Sequence, residues 1–182
     1  MHSRIIALRN VKSEQEKSKK YELLKEQDIL DYYDGNMPSF ADYVADLSKE
    51  QTKYSYDWLV ECLNYQAKQK AILKQENGEY FLEIPKSLLE EKLKKDFELF
   101  KEKAQSLTQE EFLDGFGIER YDLKNLLVGD NGGFHFFDKT GAENVYGCSL
   151  DNEMDWIRYT LAFAKEDDKL LFRLEGALDY HF

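Results

Sequence analysis

The last thirteen residues constrain the fold most. From Leu170 to Phe182, Leu170, Phe172, Leu174, Leu178, Tyr180 and Phe182 occupy one parity, while Arg173, Glu175, Asp179 and His181 occupy the other. Successive side chains of an extended strand point to opposite faces, so this period predicts a long strand with one apolar face. Gly176 falls inside it, where glycine marks a bulge or a close neighbour.

Other segments carry the same kind of signal. The run Ser3–Arg9 contains two Ile between polar flanks and reads as an N-terminal strand. Gly132-Gly133 leads into Phe134–Asp138, Lys139-Thr140-Gly141 can turn the chain, and Asn144–Leu150 can return, which predicts a 134–150 hairpin. A second hairpin is expected over 71–84. There Asn77-Gly78 suits a type I′ turn, in which both central residues have positive φ, and Pro85 closes the strand.

The middle of the chain reads as helical. A helix is expected over 21–33, stopped by Asp34-Gly35-Asn36. Ser39 stands as an N-cap before Phe40, Tyr43, Val44 and Leu47 at helical spacing. Ser55 can cap a helix carrying Trp58, Leu59, Cys62 and Leu63 and running to about Lys70. Ser87-x-x-Glu90 and Thr108-x-x-Glu111 have the form of capping boxes, and Leu107 and Phe112 suit a hydrophobic staple. Leu123, Leu126 and Leu127 suggest a short helix, and Asp151 can cap another that carries Met154, Ile157 and Leu161. Helices that precede a strand-rich end make the class α+β. An antiparallel or mixed sheet is expected, built from the N-terminal strand, the 134–150 hairpin and the long C-terminal strand. Several helices would cover one of its faces. The 182 residues suit a single globular domain, 1–182, with residues 10–20, almost devoid of apolar side chains, as a mobile loop.

Charge and composition exclude several functions. The net charge is -11, and acid excess lies in both halves, with seventeen acidic to thirteen basic residues up to Glu91 and nineteen to twelve after it. Nucleic acid and anionic membranes are recognised by basic patches, so neither is an expected partner. Apolar runs fall far short of the ~20 residues a spanning helix needs, and the apolar stretch Ile5–Leu8 is too short for a secretory signal. With only Cys62 and Cys148, the chain reads as cytoplasmic.

Motifs for chemistry are sparse. Gly129-Asp130-Asn131-Gly132-Gly133 lacks the lysine of a phosphate loop and the spacing of a dinucleotide fingerprint, and reads as a turn. The acids of Asp28–Asn36 do not fall at calcium-loop positions. No nucleophile elbow, HExxH or CxxC occurs. The catalytic candidates are His135, His181 and Asp179, because two histidines and a carboxylate on pairing strands are the side chains such a site needs. His181 and Asp179 share a strand face; His135 and Asp138 point to opposite faces. No metal or cofactor is expected.

The aromatic content, twelve Phe, twelve Tyr and two Trp, is the stronger compositional signal. Tyr32, Tyr33, Tyr43, Tyr54, Tyr56 and Trp58 crowd one stretch with Asp31, Asp34, Asp42, Asp46 and Asp57. Tyrosine supplies contact area at low entropic cost. In composition the chain is similar to immunity proteins and DNA-mimicking antirestriction proteins, which act by covering a basic partner surface. The expected function is therefore an acidic interaction or inhibitory module with a basic protein partner, and no sequence motif assigns an enzymatic activity. An enzyme or small-molecule-binding protein without a recognisable motif is the alternative. A homo-oligomer formed through the edge of the C-terminal strand is a further expectation. Acids gathered on one face, free of lysines, would favour the interaction module; converging histidines would favour the enzyme.

Overall fold

The computed structural model describes residues 2–38, 41–114, 123, 126, 133–138, 150–164 and 168–181. Seven strands form one mixed sheet: β1 His2–Asn10, β2 Tyr43–Asp46, β3 Ile72–Glu76, β4 Glu79–Pro85, β5 Phe134–Phe137, β6 Leu150–Asn152 and β7 Lys169–His181. Among the described residues the helices are α1 Glu14–Ser18, α2 Glu26–Tyr32, α3 Lys49–Asn64, α4 Lys86–Ser106, α5 Gln109–Leu113 and α6 Glu153–Phe163. The fold is α+β, as the sequence predicts.

The strand order is β3-β4-β7-β1-β5-β6. The pair β1–β5 is parallel and the other pairs are antiparallel. The long C-terminal strand lies in the middle of this sheet. One edge of β7 pairs with β1, while the other is shared between β4 along 169–174 and β2 along 178–181. The expected oligomer contact through β7 is thus corrected: both of its edges are occupied within the chain.

The one apolar face expected for residues 170–182 is also corrected. Leu8 pairs with Leu174 but Ile6 pairs with Ala177, so a bulge at Glu175-Gly176 shifts the register and inverts the parity of every later side chain. Leu170, Phe172, Leu174 and Ala177 join the core beneath α3, α4 and α6. Leu178 and Tyr180 face the other way, into a second cluster with Leu24, Ile29 and Val44. Gly176 has φ 116°, and a Cβ there would stand 2.7 Å from the Leu24 nitrogen. Its N–H donates to the Tyr56 hydroxyl of α3 at 2.8 Å, and Leu24 N–H donates to Glu175 O at 2.6 Å. Both covers therefore meet the sheet at this glycine.

The second face is covered by residues 11–33, not left to solvent. Residues 10–20, expected as a loop, end β1 and then form α1, capped by the Ser13 hydroxyl. Val11 N–H donates to Leu171 O at 2.8 Å. The Arg173 guanidinium, 2% exposed, donates to the carbonyls of Lys17 and Lys19 at the end of α1 and lies against Tyr21 and Phe81. Arg9 donates to both Glu175 carboxylate oxygens, at 2.6 and 2.9 Å, and stacks 4.0 Å over Tyr21. Polar residues on the solvent parity of β7 are thus buried in ion pairs and carbonyl contacts.

Local signals are mostly confirmed, with shifted boundaries. The 71–84 hairpin turns at Asn77 and Gly78 with φ 52° and 84°. In the 134–150 hairpin, β5 pairs with β6, whose pairing residues are Leu150–Asn152, and positions 139–149 lie outside the described residues. So do the turn 129–132 and most of the helix suggested at 123–127. Thr108 and Glu111 form the expected box at α5, though Phe112 is exposed. The helix expected over 21–33 forms only from Glu26, while residues 21–25 run extended over β7. Residues 43–46 form a strand, not a helix, because β7 leaves an unpaired edge at 178–181 that Tyr43 and Val44, both good strand formers, complete. The helix assigned to Ser55 starts at Lys49, where Ser48 and Gln51 make a reciprocal box; Ser55 is buried inside it. Asn152, not Asp151, caps α6. Ser87 lies within α4, which follows β4 directly at Pro85.

Candidate functional site

The histidine candidates do not converge. β1 lies between β5 and β7, so their strands do not pair with one another. His135 sits on the α2 side of the sheet, buried, with Nδ1 2.9 Å from the Tyr180 hydroxyl and its ring edge-on to Tyr180. His181 alternates with Tyr180 and so faces the opposite side. Its Nδ1 is 3.1 Å from Asp42 Oδ2, and its ring stacks on Tyr43 at 5.8 Å. Asp179 does share the face of His181, as expected, but it forms an ion pair with Arg4 and accepts from the Tyr43 hydroxyl at 3.3 Å. Arg4 is itself held by Ser55 Oγ at 3.0 Å and packs over Trp58. Asp179 thus anchors the ends of β1, β2 and β7 to α3. Among the described residues no group of three or more His, Cys, Asp or Glu could hold a metal ion.

Acidic residues gather elsewhere. The run Glu26–Ser48 holds six acids, Glu26, Asp28, Asp31, Asp34, Asp42 and Asp46, and no Lys or Arg. The described residues of this run form α2, the turn after it and β2, which pairs with β7. Ile29, with no exposed surface, fastens α2 onto Leu24 and Val44. Fixing this apolar side turns Asp31, Tyr32 and Asp34 outward. Asp46 Oδ1 accepts from Glu26 N–H at 2.9 Å, which ties the start of α2 to the end of β2. The Asp28 carboxylate accepts from Lys25 N–H at 2.7 Å. Both carboxylates meet N–H groups at the start of α2, Asp28 from its first turn and Asp46 from β2, where unpaired N–H groups favour negative charge.

Tyrosines border the acids. Tyr32 packs edge-on against Tyr33 and Phe137 and is still 40% exposed; Tyr43 is 38% exposed. Burial and the nearby Asp179 carboxylate push the Tyr43 phenol up, so it stays protonated and donates. Tyr56, by contrast, is buried beneath β7, where desolvation pushes its phenol up, and it serves packing.

Several acids on the helical side are neutralised locally. Lys53 pairs with Asp57, Lys95 with Glu91, Lys101 with Glu98 and Lys92 with Glu153; on the face of β4 turned away from these helices, Lys74 and Lys169 both reach Glu83. The two lysines hold Glu83 below the usual carboxylate range. On the α2–β2 side the Lys25 ammonium reaches Asp46 at 3.9 Å, with both side chains more than half exposed. The lysine-free run is legible in the sequence once helices are set aside and charges alone are scanned. The junction of Asp46 with Glu26, twenty residues apart, has no local signal.

No family model, characterised protein or solved structure matches the chain. Among the described residues no helix is long and apolar enough to cross a membrane.

Proposed function

We propose that the chain is a cytoplasmic protein-interaction module that presents the α2–β2 surface to a basic partner. One observation carries this reading. Six acids lie in a run free of lysine and arginine, four of them (Asp31, Asp34, Asp42 and Asp46) exposed and bordered by tyrosines, with Lys25 reaching Asp46 from outside the run at 3.9 Å, while on the helical side Asp57, Glu91 and Glu153 are paired with lysines. An excess of like charge raises the rate at which an oppositely charged surface is met and guards against acidic competitors. Tyr32 and Tyr43 add apolar contact area that holds a partner once it has arrived.

The test compares capture from host lysate by three forms of the full chain. One is wild type, one carries Asp31→Asn, Asp34→Asn, Asp42→Asn and Asp46→Asn, and one carries four Glu→Gln changes on α4, at Glu90, Glu98, Glu102 and Glu91. A basic protein captured at low salt by wild type and by the α4 variant, and lost from the α2–β2 variant and at high salt, is the expected result, since exposed charge attraction is screened. Equal capture by all three forms would overturn the reading.

A further inference from the structure

Two helices of the apolar cover differ in length. α4 has 21 residues and spans about 31 Å, while α6 has 11 and spans about 16 Å, so α6 can back only part of α4. Only Leu88 and Leu89 of α4 are buried. Leu93, Phe97 and Phe100 continue the apolar stripe at i, i+4 and i+7. Met154, Arg158 and Leu161 have the same spacing on α6. Leu93 and Leu161 still pack against the core, Met154 is buried, and Phe97 is 58% exposed. Between the two helices these side chains line a cavity of about 560 Å³.

The charged side chains lining the cavity among the described residues are Glu90, Lys94 and Asp96 of α4 and Arg158 of α6. Two are acids and two are bases, so their charges cancel. Glu90 lies 4.0 Å from Lys86, and Arg158 reaches Asp155 at 3.4 Å. Asp96 is half-buried and has no hydrogen-bond or ion-pair partner among the described residues. Burial raises its carboxyl above the ordinary value; Lys92, itself paired with Glu153 at 3.2 Å, opposes this less strongly. A charged ligand would gain from two of the four lining groups, lose to the other two, and give up its hydration. A neutral ligand meets none of these costs.

We propose that this cavity binds a neutral, largely apolar small molecule carrying a hydroxyl, which donates to the Asp96 carboxyl while the carbon body lies between the apolar stripes of α4 and α6. A hydroxyl supplies the donor that Asp96 lacks, and a carboxyl accepts it whether ionised or neutral. The volume falls within the ~300–1,000 Å³ of pockets that enclose small organic ligands, and such pockets combine apolar walls with a few polar groups. The site stands on the helical cover and is independent of the α2–β2 surface.

The probes are 1-octanol and, with the same chain length, octanoate and octylammonium. Each is titrated into the full chain labelled at its Leu and Met methyl groups. Saturable shifts at Leu93, Met154 and Leu161 are expected with 1-octanol, and binding about tenfold weaker or more with either ion. Asp96→Leu should weaken 1-octanol binding about tenfold, whereas Asp96→Asn, which keeps an acceptor, should bind as wild type does. Phe97→Asp removes an exposed wall and should also cost about tenfold. Tyr54→Asp, at an exposed position on α3, should change nothing. Cooperative thermal melts show that each variant is folded. The proposal is overturned if either ion binds as tightly as 1-octanol or if 1-octanol does not saturate. It is equally overturned if Asp96→Leu or Phe97→Asp binds as wild type does, or if Tyr54→Asp weakens binding as much as they do.

Discussion

The two faces of the sheet are covered by different means. On one side α3, α4 and α6 press Leu59, Leu88 and Ile157 onto Ile6, Leu82 and Phe172, and the core is predominantly apolar, with the Tyr56 hydroxyl and Ser55 among its few buried polar groups. On the other side the cover is residues 11–33, a mostly irregular stretch whose apolar anchors are Val11, Leu24 and Ile29. There the fit rests on Arg9–Glu175 and on Arg173 reaching the carbonyls of Lys17 and Lys19. A helix that buries a broad apolar stripe needs no specific partner. An extended, charged segment does, because each buried charge must find one. The second cover also bears α2 and, beside it, β2, so the proposed contact surface stands on the side with the smaller apolar base.

The largest expected effect is at the position where the covers meet. Gly176→Val forces a β-branched residue into φ 116° and drives its Cβ into the Leu24 backbone, 2.7 Å away. Backbone cannot yield as a side-chain end can, so a loss of more than about 4 kcal/mol is expected in urea unfolding. A loss below about 1 kcal/mol would mean that the covers are not locked together there.

Next comes a contrast between the faces. Glu175→Leu leaves the Arg9 guanidinium without its partner and should cost about 3–5 kcal/mol. Adding Arg9→Met should recover most of that loss, since a buried pair is replaceable by apolar packing. Leu82→Ala on the apolar face should cost about 2–5 kcal/mol through the cavity it leaves, and no charge change elsewhere should restore it. Urea melts of the four proteins check this, and failure of Arg9→Met to rescue Glu175→Leu would remove the distinction between the faces.

Smaller still is Ser48→Ala, which removes the cap of α3 and should cost about 1 kcal/mol by the same measurement. Smallest is Asp96→Asn on α4. Burial raises the Asp96 carboxyl above its ordinary value. An acid raised on folding lowers stability as pH climbs from the unfolded to the folded pKa, and above both the folded state carries the charge at a cost. Asp96→Asn should therefore raise Tm slightly at pH 7 and leave it unchanged at pH 3, where both forms are neutral. Thermal melts at the two pH values decide it.

The same contrast explains what the sequence disclosed. Period and caps made the apolar face legible: Leu82 and Ile84 on one strand parity, Asn77-Gly78 at the turn, and the Thr108 box. Those signals act within a few residues. The polar face was not legible, because Arg173 finds its carbonyls more than 150 residues away and Glu175 finds Arg9 at a separation of 166. The Gly176 bulge hid it further, since one extra residue exchanges the two faces and the plain alternation of 170–182 conceals the exchange. Residues 43–46 read as helix because Tyr43 and Val44 are consistent with either period; the open edge of β7 decides, and that is a tertiary fact. His135 and His181 were linked by assuming that their strands pair, and the insertion of β1 between them undoes it. The acid run of the contact surface was in plain view in the sequence, but the pairing of its β2 segment with β7 was not.

Hydrogen exchange of the full chain, with and without the basic protein that it captures, tests the central claim most directly. Protection confined to α2, the turn after it and β2, with α3, α4 and α6 exchanging as in the free chain, is the predicted result. Protection on α4 and α6 with residues 26–48 unchanged would contradict it.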